Sequence, residues 1–533
     1  MNKLAVGYAI GKLLQVMGGV LIIPFSMALY NHRSLLTVQS LVNPEVLGFL
    51  AAISVSFVIG TTLTKACCTG KDLQGVREGF AIVTFGWIML SLVGCIPFVT
   101  YFLGDGVLVA PISIVQSFTD AYFETMSGFT TTGATILANV EGLPRSLLFW
   151  RSLTHWLGGM GIITLALAIF PAMGVSGYQM FRGEVPGPSA DRLQPRLAET
   201  AKVLWGVYLL LSAVETILLC AGGMPLFDSL CHTFGTMATG GFSTKNASIG
   251  AYNSNYFDWV ITVFMFLAGM NFLIHYRVMR GQYKDLFINK EFHFYTGTII
   301  VCVVVLTALL YYNGVPSAEH SAVHFRHNSP AMEEFTQHVS AESDKLGNLY
   351  QCLRRAAFQV VSIITTTGYG TADFDVWPDV CRFLLVVLMF WGGCAGSTGG
   401  GMKMVRIMVV LKAAGRELRK MAKPRLIAPL KIGETTVEEV MVVNILTFVI
   451  LFMGLFVISA LLLSLFVPDL VTAISASSAT IGNIGPGLAG VGSIEHYGWI
   501  PIPGKWILIF CMLLGRLEVY TVLIALHPAT WKS

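Results

Sequence analysis

The sequence predicts an all-α polytopic membrane protein in which four helix–re-entrant loop–helix units follow two extra N-terminal helices in one chain. Three observations predict it. Charged residues make up 12% of the 533 positions, about half the share of a soluble chain, and the mean hydropathy is +0.69. The apolar residues fall in separated runs of roughly 20 to 30 residues, enough to span a bilayer. Between four pairs of these runs lies a shorter, moderately polar segment that ends in small or hydroxyl residues and a glycine.

Ten spans are expected, at 4–29, 44–65, 79–103, 147–170, 199–221, 257–277, 293–312, 380–412, 436–466 and 506–526. The first contains Lys12 and Pro24 and lacks a small-residue cleavage site, so it reads as a retained helix rather than a leader. The shorter segments, near 115–129, 226–238, 351–365 and 468–479, have the length of re-entrant half-helices. Irregular backbone at that depth needs protein or a water cavity around it. They lead into Thr130-Thr131-Thr132-Gly133, Met237-Ala238-Thr239-Gly240, Thr365-Thr366-Thr367-Gly368-Tyr369-Gly370 and Ala479-Thr480-Ile481-Gly482. The glycines are spaced by 107, 128 and 114 residues, and a second glycine (Gly159, Gly269, Gly393, Gly515) follows each by 26, 29, 25 and 33 residues. Two landmarks in one order, four times, predict a repeat. Its boundaries are 1–70 for the two N-terminal helices, then 71–198, 199–292, 293–435 and 436–533.

With these spans, twenty-two lysines and arginines fall on one side and ten on the other. The richer side is cytoplasmic by the positive-inside rule, which puts both termini inside and all four loops on the outer half. Asp105, Asp120, Glu124, Glu141, Asp373, Asp375 and Asp379 collect near the loops, either as solvated loop charge or as a vestibule that concentrates cations. The ten cysteines show no CxxC or Cys/His spacing, so neither a zinc site nor a disulfide framework is expected. No metal-ligand set, triad or carboxylate pair occurs inside the spans. His320, His324, His327 and His338 fall in the long outer loop 313–350 and read as solvated surface. An enzyme is not expected, nor a nucleic-acid partner.

The third loop is one residue away from the Thr-Val-Gly-Tyr-Gly loop of potassium-channel filters. Four non-identical loops of this kind in one chain, the segment Gly392-Gly-Cys-Ala-Gly-Ser-Thr-Gly-Gly-Gly-Met-Lys403 and the motif Leu514-Gly515-Arg516-Leu517-Glu518 resemble the Trk/Ktr/HKT superfamily of potassium transporters. The similarity covers essentially the whole chain and points to the bacterial TrkH-type ion-translocating subunit. The resemblance implies one pseudo-fourfold pore, with the carbonyls of Thr131, Thr132, Ala238, Thr239, Thr366, Thr367, Thr480 and Ile481 as K+ ligands. Gly133, Gly240, Gly368 and Gly482 would take the unusual backbone angles without a Cβ penalty; the bland alternative is four ordinary tight turns. Serine at the first of these glycines goes with sodium preference in the superfamily, so K+ is the expected ion, a sodium or non-selective conductor being the rival. The resemblance further implies the bacterial inner membrane, a homodimer and a cytosolic RCK-type nucleotide-binding regulatory subunit (TrkA-like). No nucleotide-binding or organic-cofactor motif occurs in the chain itself.

Gly392, Gly393, Gly396, Gly399, Gly400 and Gly401, interleaved with Cys394, Ala395, Ser397 and Thr398, cannot hold a stable helix, since each glycine costs about 1 kcal/mol against alanine. A phosphate loop is excluded because no Gly-Lys-Ser/Thr follows. Two readings stand: close helix packing through small residues, or, as the resemblance implies, an intramembrane loop that closes the path below the filter. Arg516 lies mid-span, where an arginine costs at least ~2.5–3.5 kcal/mol unless it faces protein or water. It either faces the pore or forms a structural ion pair; Glu518 is too close in sequence to share its helix face. Lys12 and Glu215 read as interfacial or packing residues. The basic segment 412–431 is either a partner contact or a patch for anionic membrane lipid.

Overall fold

The computed structural model describes residues 1–31, 43–70, 76–104, 114–168, 193–314, 348–425, 429–433 and 435–531. Asp105, the four loop histidines, and the basic residues Arg33, Lys71, Arg182, Arg192, Arg326, Lys345 and Lys532 lie outside the described residues. The chain is helical, with one two-residue strand pair at Lys431–Ile432 and Thr435–Thr436. Among the described residues, six helices are long and apolar enough to cross a membrane, and two bent helix pairs bring the number to eight.

The N-terminal part is α1 (Lys3–Val20), α2 (Ile22–Asn31), α3 (Pro44–Ala66), α4 (Val76–Gly94) and α5 (Ile96–Gly104). Pro44 starts α3 at a position that needs no amide donor, and the Asn43 side chain caps it by accepting from Glu45 N, as first-turn amides require. A Cβ on Gly11 of α1 would come 2.9 Å from Gly60 O of α3, and one on Gly60 equally close to Gly11 O. Small residues therefore let these two backbones touch.

Next come α6 (Ile114–Phe129), α7 (Arg145–Ala168), α8 (Leu193–Ala221), α9 (Leu226–Met237), α10 (Asn255–Ala268), α11 (Phe272–Met279), α12 (Lys284–Ile288) and α13 (Lys290–Asn313). The C-terminal part is α14 (Leu349–Ile364), α15 (Asp379–Leu388), α16 (Met404–Ala422), α17 (Glu439–Leu463), α18 (Leu470–Ile481), α19 (Ile502–Arg516), α20 (Val519–Leu526) and α21 (Pro528–Trp531). The four short helices α6, α9, α14 and α18 are 16, 12, 16 and 12 residues long. At 1.5 Å per residue they reach about 18–24 Å, short of the hydrocarbon thickness.

Several of their charged residues are buried and paired from behind. Asp120 of α6 meets Lys505 of α19 at 2.5 Å, and Glu124 of α6 meets Arg151 of α7 at 2.5 Å. Asp258 of α10 pairs with Arg354 of α14. Asp120 and Glu124, expected near the loops as vestibule acids, are thus consumed by buried ion pairs, because a lone carboxylate at that depth would be far costlier than a paired one.

Two spans expected to be continuous are broken, and a third is interrupted where its glycine-rich segment is expected to break it. The span at 257–277 bends by 100° between α10 and α11, and that at 506–526 by 111° between α19 and α20. The span at 380–412 is interrupted between α15 and α16. Asn271 caps α11 through Leu273 N at 2.9 Å, and Glu518 takes φ +60 at the α19–α20 corner while pairing with Arg406.

Candidate ion pathway

The short helices all end in one backbone pattern. Ala238, Thr365 and Gly482 close α9, α14 and α18 in right-handed conformation at φ −78. The next residues are left-handed: Thr131 (φ 49), Thr239 (φ 53), Thr366 (φ 60) and Asn483 (φ 55). The amides after these, on Thr132, Gly240, Thr367 and Ile484, reach back five residues to Ser127 O, Gly235 O, Ser362 O and Ala479 O at 2.8–2.9 Å. A left-handed glycine follows each time: Gly133 (φ 80), Gly241 (φ 78), Gly368 (φ 81) and Gly485 (φ 98). Three β-branched threonines at positive φ are outliers of the kind that gather at functional sites.

The loops touch in cyclic order. A Cβ on Gly133 would run into Gly240 O, one on Gly241 into Thr367 O, one on Gly368 into Ile484 O, and one on Gly485 into Thr132 O. First meets second, second third, third fourth, and fourth first again. Four equivalent carbonyls, of Thr132, Gly240, Thr367 and Ile484, lie around one closed ring. Such carbonyls are hard-oxygen ligands able to replace a cation's hydration shell.

The register differs from spacing in two loops. Gly240 contributes a carbonyl while Gly241 takes the left-handed angle. In the fourth loop Thr480 and Ile481 belong to α18 and Gly482 is its cap, so the equivalent residues are Asn483, Ile484 and Gly485. The pattern of a glycine behind small or hydroxyl residues marks Gly482, three residues before the left-handed Gly485. The signal was present in Asn483, since asparagine tolerates left-handed angles, and in Asn-x-Gly at the spacing of Thr131-x-Gly133.

Side chains lock the ring from outside. Tyr369 O–H donates to His232 O at 3.0 Å and Phe242 O at 3.2 Å. Arg151 donates to Ser243 O at 2.9 Å while its partner Glu124 accepts from Ile136 N at 3.0 Å. That ion pair therefore joins the exits of the first and second loops. The later glycine landmark has a packing reason: a Cβ on Gly158 would strike Phe129 O, and one on Gly515 would strike Ile481 O, the equivalent carbonyl. Gly158, not Gly159, is thus the counterpart of Gly515.

The glycine-rich segment folds as a loop against this ring. Gly392 N donates to Met402 O at 2.8 Å, closing its neck. The break between α10 and α11 leaves Gly269 O and Phe272 N without helical partners; Cys394 N and Gly396 O fill them at 2.8 and 3.1 Å. Gly400 N donates to Thr366 Oγ1 at 2.7 Å. Arg516, 2% exposed, donates through Nη1 to Thr398 O at 2.6 Å and through Nη2 to Gly158 O at 3.1 Å. Loop, arginine and ring are thus in direct contact. Glu518 pairs with Arg406, not Arg516.

A second group of acids sits between the exits of the third and fourth loops. Asp373 accepts from Asp375 N at 3.0 Å, and Asp375 accepts from Ala489 N at 3.0 Å and from Arg382 at 2.9 Å. Burial pushes the Asp373 carboxyl up to about 6. Burial first, then the charges of Asp373 and Asp375, push Glu495 up to about 7. Glu141 pairs with Lys245, and Asp379 with Arg382. Lys12 is exposed beside Gln15, and Glu215 is fully buried. No cluster of three or more His, Cys, Asp and Glu side chains suited to a metal ion occurs among the described residues.

Fold and site together define an all-helical polytopic membrane protein whose four buried half-helices present glycine-bearing loops to one another in a closed ring. The TrkH family model, described as a cation transport protein, matches residues 47–532. The chain belongs to that family, which is one of transporters rather than enzymes. It is 35% identical over 535 residues to the Trk system potassium uptake protein TrkH of Escherichia coli K12, covering 100% of both chains. It is 37% identical over 461 residues to the protein of the same name from Vibrio parahaemolyticus, covering 86% of each. The crystal structure of the potassium transporter TrkH from Vibrio parahaemolyticus superposes with a TM-score of 0.81 at 31% identity, again over 100% of both chains.

Proposed function

We propose that this protein takes up K+ by passing it through the ring of loop carbonyls. Cyclic contact among the four loops is the observation that carries the reading. It supports ligation by the carbonyls of Thr131, Thr132, Thr239, Gly240, Thr366, Thr367, Asn483 and Ile484, with Gly133, Gly241, Gly368 and Gly485 making the left-handed steps. The relatives, named as potassium uptake proteins, favour K+ over a sodium or non-selective path. The four units then act as concatenated repeats around one pore behind two N-terminal helices. Loop 392–401, anchored by Arg516, acts as the gate beneath them.

Family likeness supports placement in the inner membrane, and the charge distribution supports cytoplasmic termini. Family likeness supports a homodimer with one pore per subunit and a cytosolic RCK-type regulatory partner. The exposed Lys412 and Arg419 of α16 and Lys423 just past its end suit that contact or anionic lipid. Ion flux into liposomes of purified protein, with potassium, sodium and proton gradients varied separately, tests the function. Equal sodium and potassium permeability would overturn K+ selectivity.

A further inference from the structure

Glu291 lies in the first turn of α13, 4% exposed, far in sequence from the loop it touches. Its Oε1 accepts from Ala395 N at 2.7 Å and from Val405 N at 3.1 Å. One of these amides lies within the glycine-rich segment, three residues past Gly392, and the other in the first turn of the helix that follows it. Val405 is the second residue of α16, whose preceding residue Lys403 makes no side-chain cap. Glu291 thus caps α16 from another helix. Its oxygen satisfies an otherwise orphan amide in the first turn of α16. Phe294, one turn on, stacks on Trp391 at 6.1 Å, so the start of α13 grips the neck of the loop with two side chains.

From this geometry we propose that Glu291 is a positioning residue of the gate, a staple that ties the first half of the intramembrane loop, at Ala395, to the start of α16 and holds the loop in the closed position. The inference rests on the reading of loop 392–401 as the gate. Arg516 holds the loop at Thr398 O; Glu291 ties Ala395 to the first turn of α16. Leaving the path requires Ala395 to part from α16, and the two hydrogen bonds resist that. A glutamine keeps the shape and one weaker acceptor, and alanine removes both bonds.

The test is potassium flux into liposomes for Glu291→Gln and Glu291→Ala, with a variant shortened within 392–401 alongside. A second readout is the rate at which a water-soluble thiol reagent modifies Cys394, which is 1% exposed, read by mass spectrometry on the folded full-length protein. The expected result is a flux rise of about tenfold for Glu291→Ala, equal to roughly 1.4 kcal/mol of lost closed-state preference. Glu291→Gln should fall in between, with Cys394 labelling faster in the same order. Wild-type flux and labelling in both Glu291 variants, while the shortened loop raises flux, would overturn the staple and leave the gate standing. No rise in the shortened variant would overturn the gate and the staple together. If Glu291→Ala does not fold, Glu291→Gln decides: unchanged Cys394 labelling in it removes the proposal.

Discussion

Gly368 stands at φ +81 with no room for a Cβ before Ile484 O, and Gly133 at φ +80 with none before Gly240 O. A serine at either must rotate the backbone or push the neighbouring carbonyl aside, and both changes alter ring radius. Gly133→Ser and Gly368→Ser are therefore expected to lower the potassium-over-sodium permeability ratio about tenfold, ~1.4 kcal/mol of discrimination, in protein that still purifies folded. Permeability ratios from liposome flux check it. The fourth loop separates two assignments: Gly485→Ala, at φ +98, should disturb selectivity more than Gly482→Ala, whose φ of −78 any residue adopts. A larger selectivity loss at 482 than at 485 would return the register to the one read from spacing. The first and third loops were legible in sequence because Thr-Thr-Gly states both the carbonyl run and the left-handed step. The fourth was not, because Asn483 and Ile484 do the same work with different side chains.

Among the elements, α6 and α19 are joined by Lys505 and Asp120 deep in apolar surroundings. Lys505→Met leaves a buried carboxylate unpaired, a loss of about 3–5 kcal/mol. It should appear as a lowered melting temperature in detergent. Adding Asp120→Asn should recover much of the loss, since the pair is coupled. Loop 392–401, proposed as the gate, is a second joint. Shortening loop 392–401 should raise potassium flux, and Arg516→Ala should do so too by freeing Thr398 O. Because Arg516 touches the loop directly, the double change should give less than the product of the two effects; multiplicative effects would mean two separate barriers. Helix positions were legible from hydropathy, down to the half-helices. The breaks at Met270-Asn271 and Leu517-Glu518 were not, since the whole window across each stays apolar enough to pass as one span despite Asn271, Arg516 and Glu518. What breaks those helices is tertiary: the loop satisfies Gly269 O and Phe272 N, and Arg406 holds Glu518.

Taken whole, the molecule is electrically uneven along its path. Asp120, Glu124, Glu141, Asp375 and Asp379 are all held in ion pairs, so Asp373 and Glu495 are the acids at the exits of the third and fourth loops whose charge changes most with pH. Asp373 and Glu495 have carboxyls raised above the ordinary range, so they are neutral at pH 5 and become charged as pH rises through about 6 and about 7. Negative potential at the mouth then grows with pH and draws cations. Uptake at sub-saturating potassium should therefore increase several-fold between external pH 5.5 and 8, an effect of ~1 kcal/mol that added salt weakens. Asp373→Asn with Glu495→Gln should flatten that profile. A profile unchanged by the double substitution would assign the pH dependence elsewhere.

Because one polypeptide supplies all four quadrants, a single codon change touches one quarter of the ring, whereas in a homotetramer it would strike four places at once. Mutation can thus move this pore in small, separable steps. The uneven loops, Thr-Thr-Gly beside Thr-Gly-Gly and Asn-Ile-Gly, are what such independent drift of the quarters would leave behind.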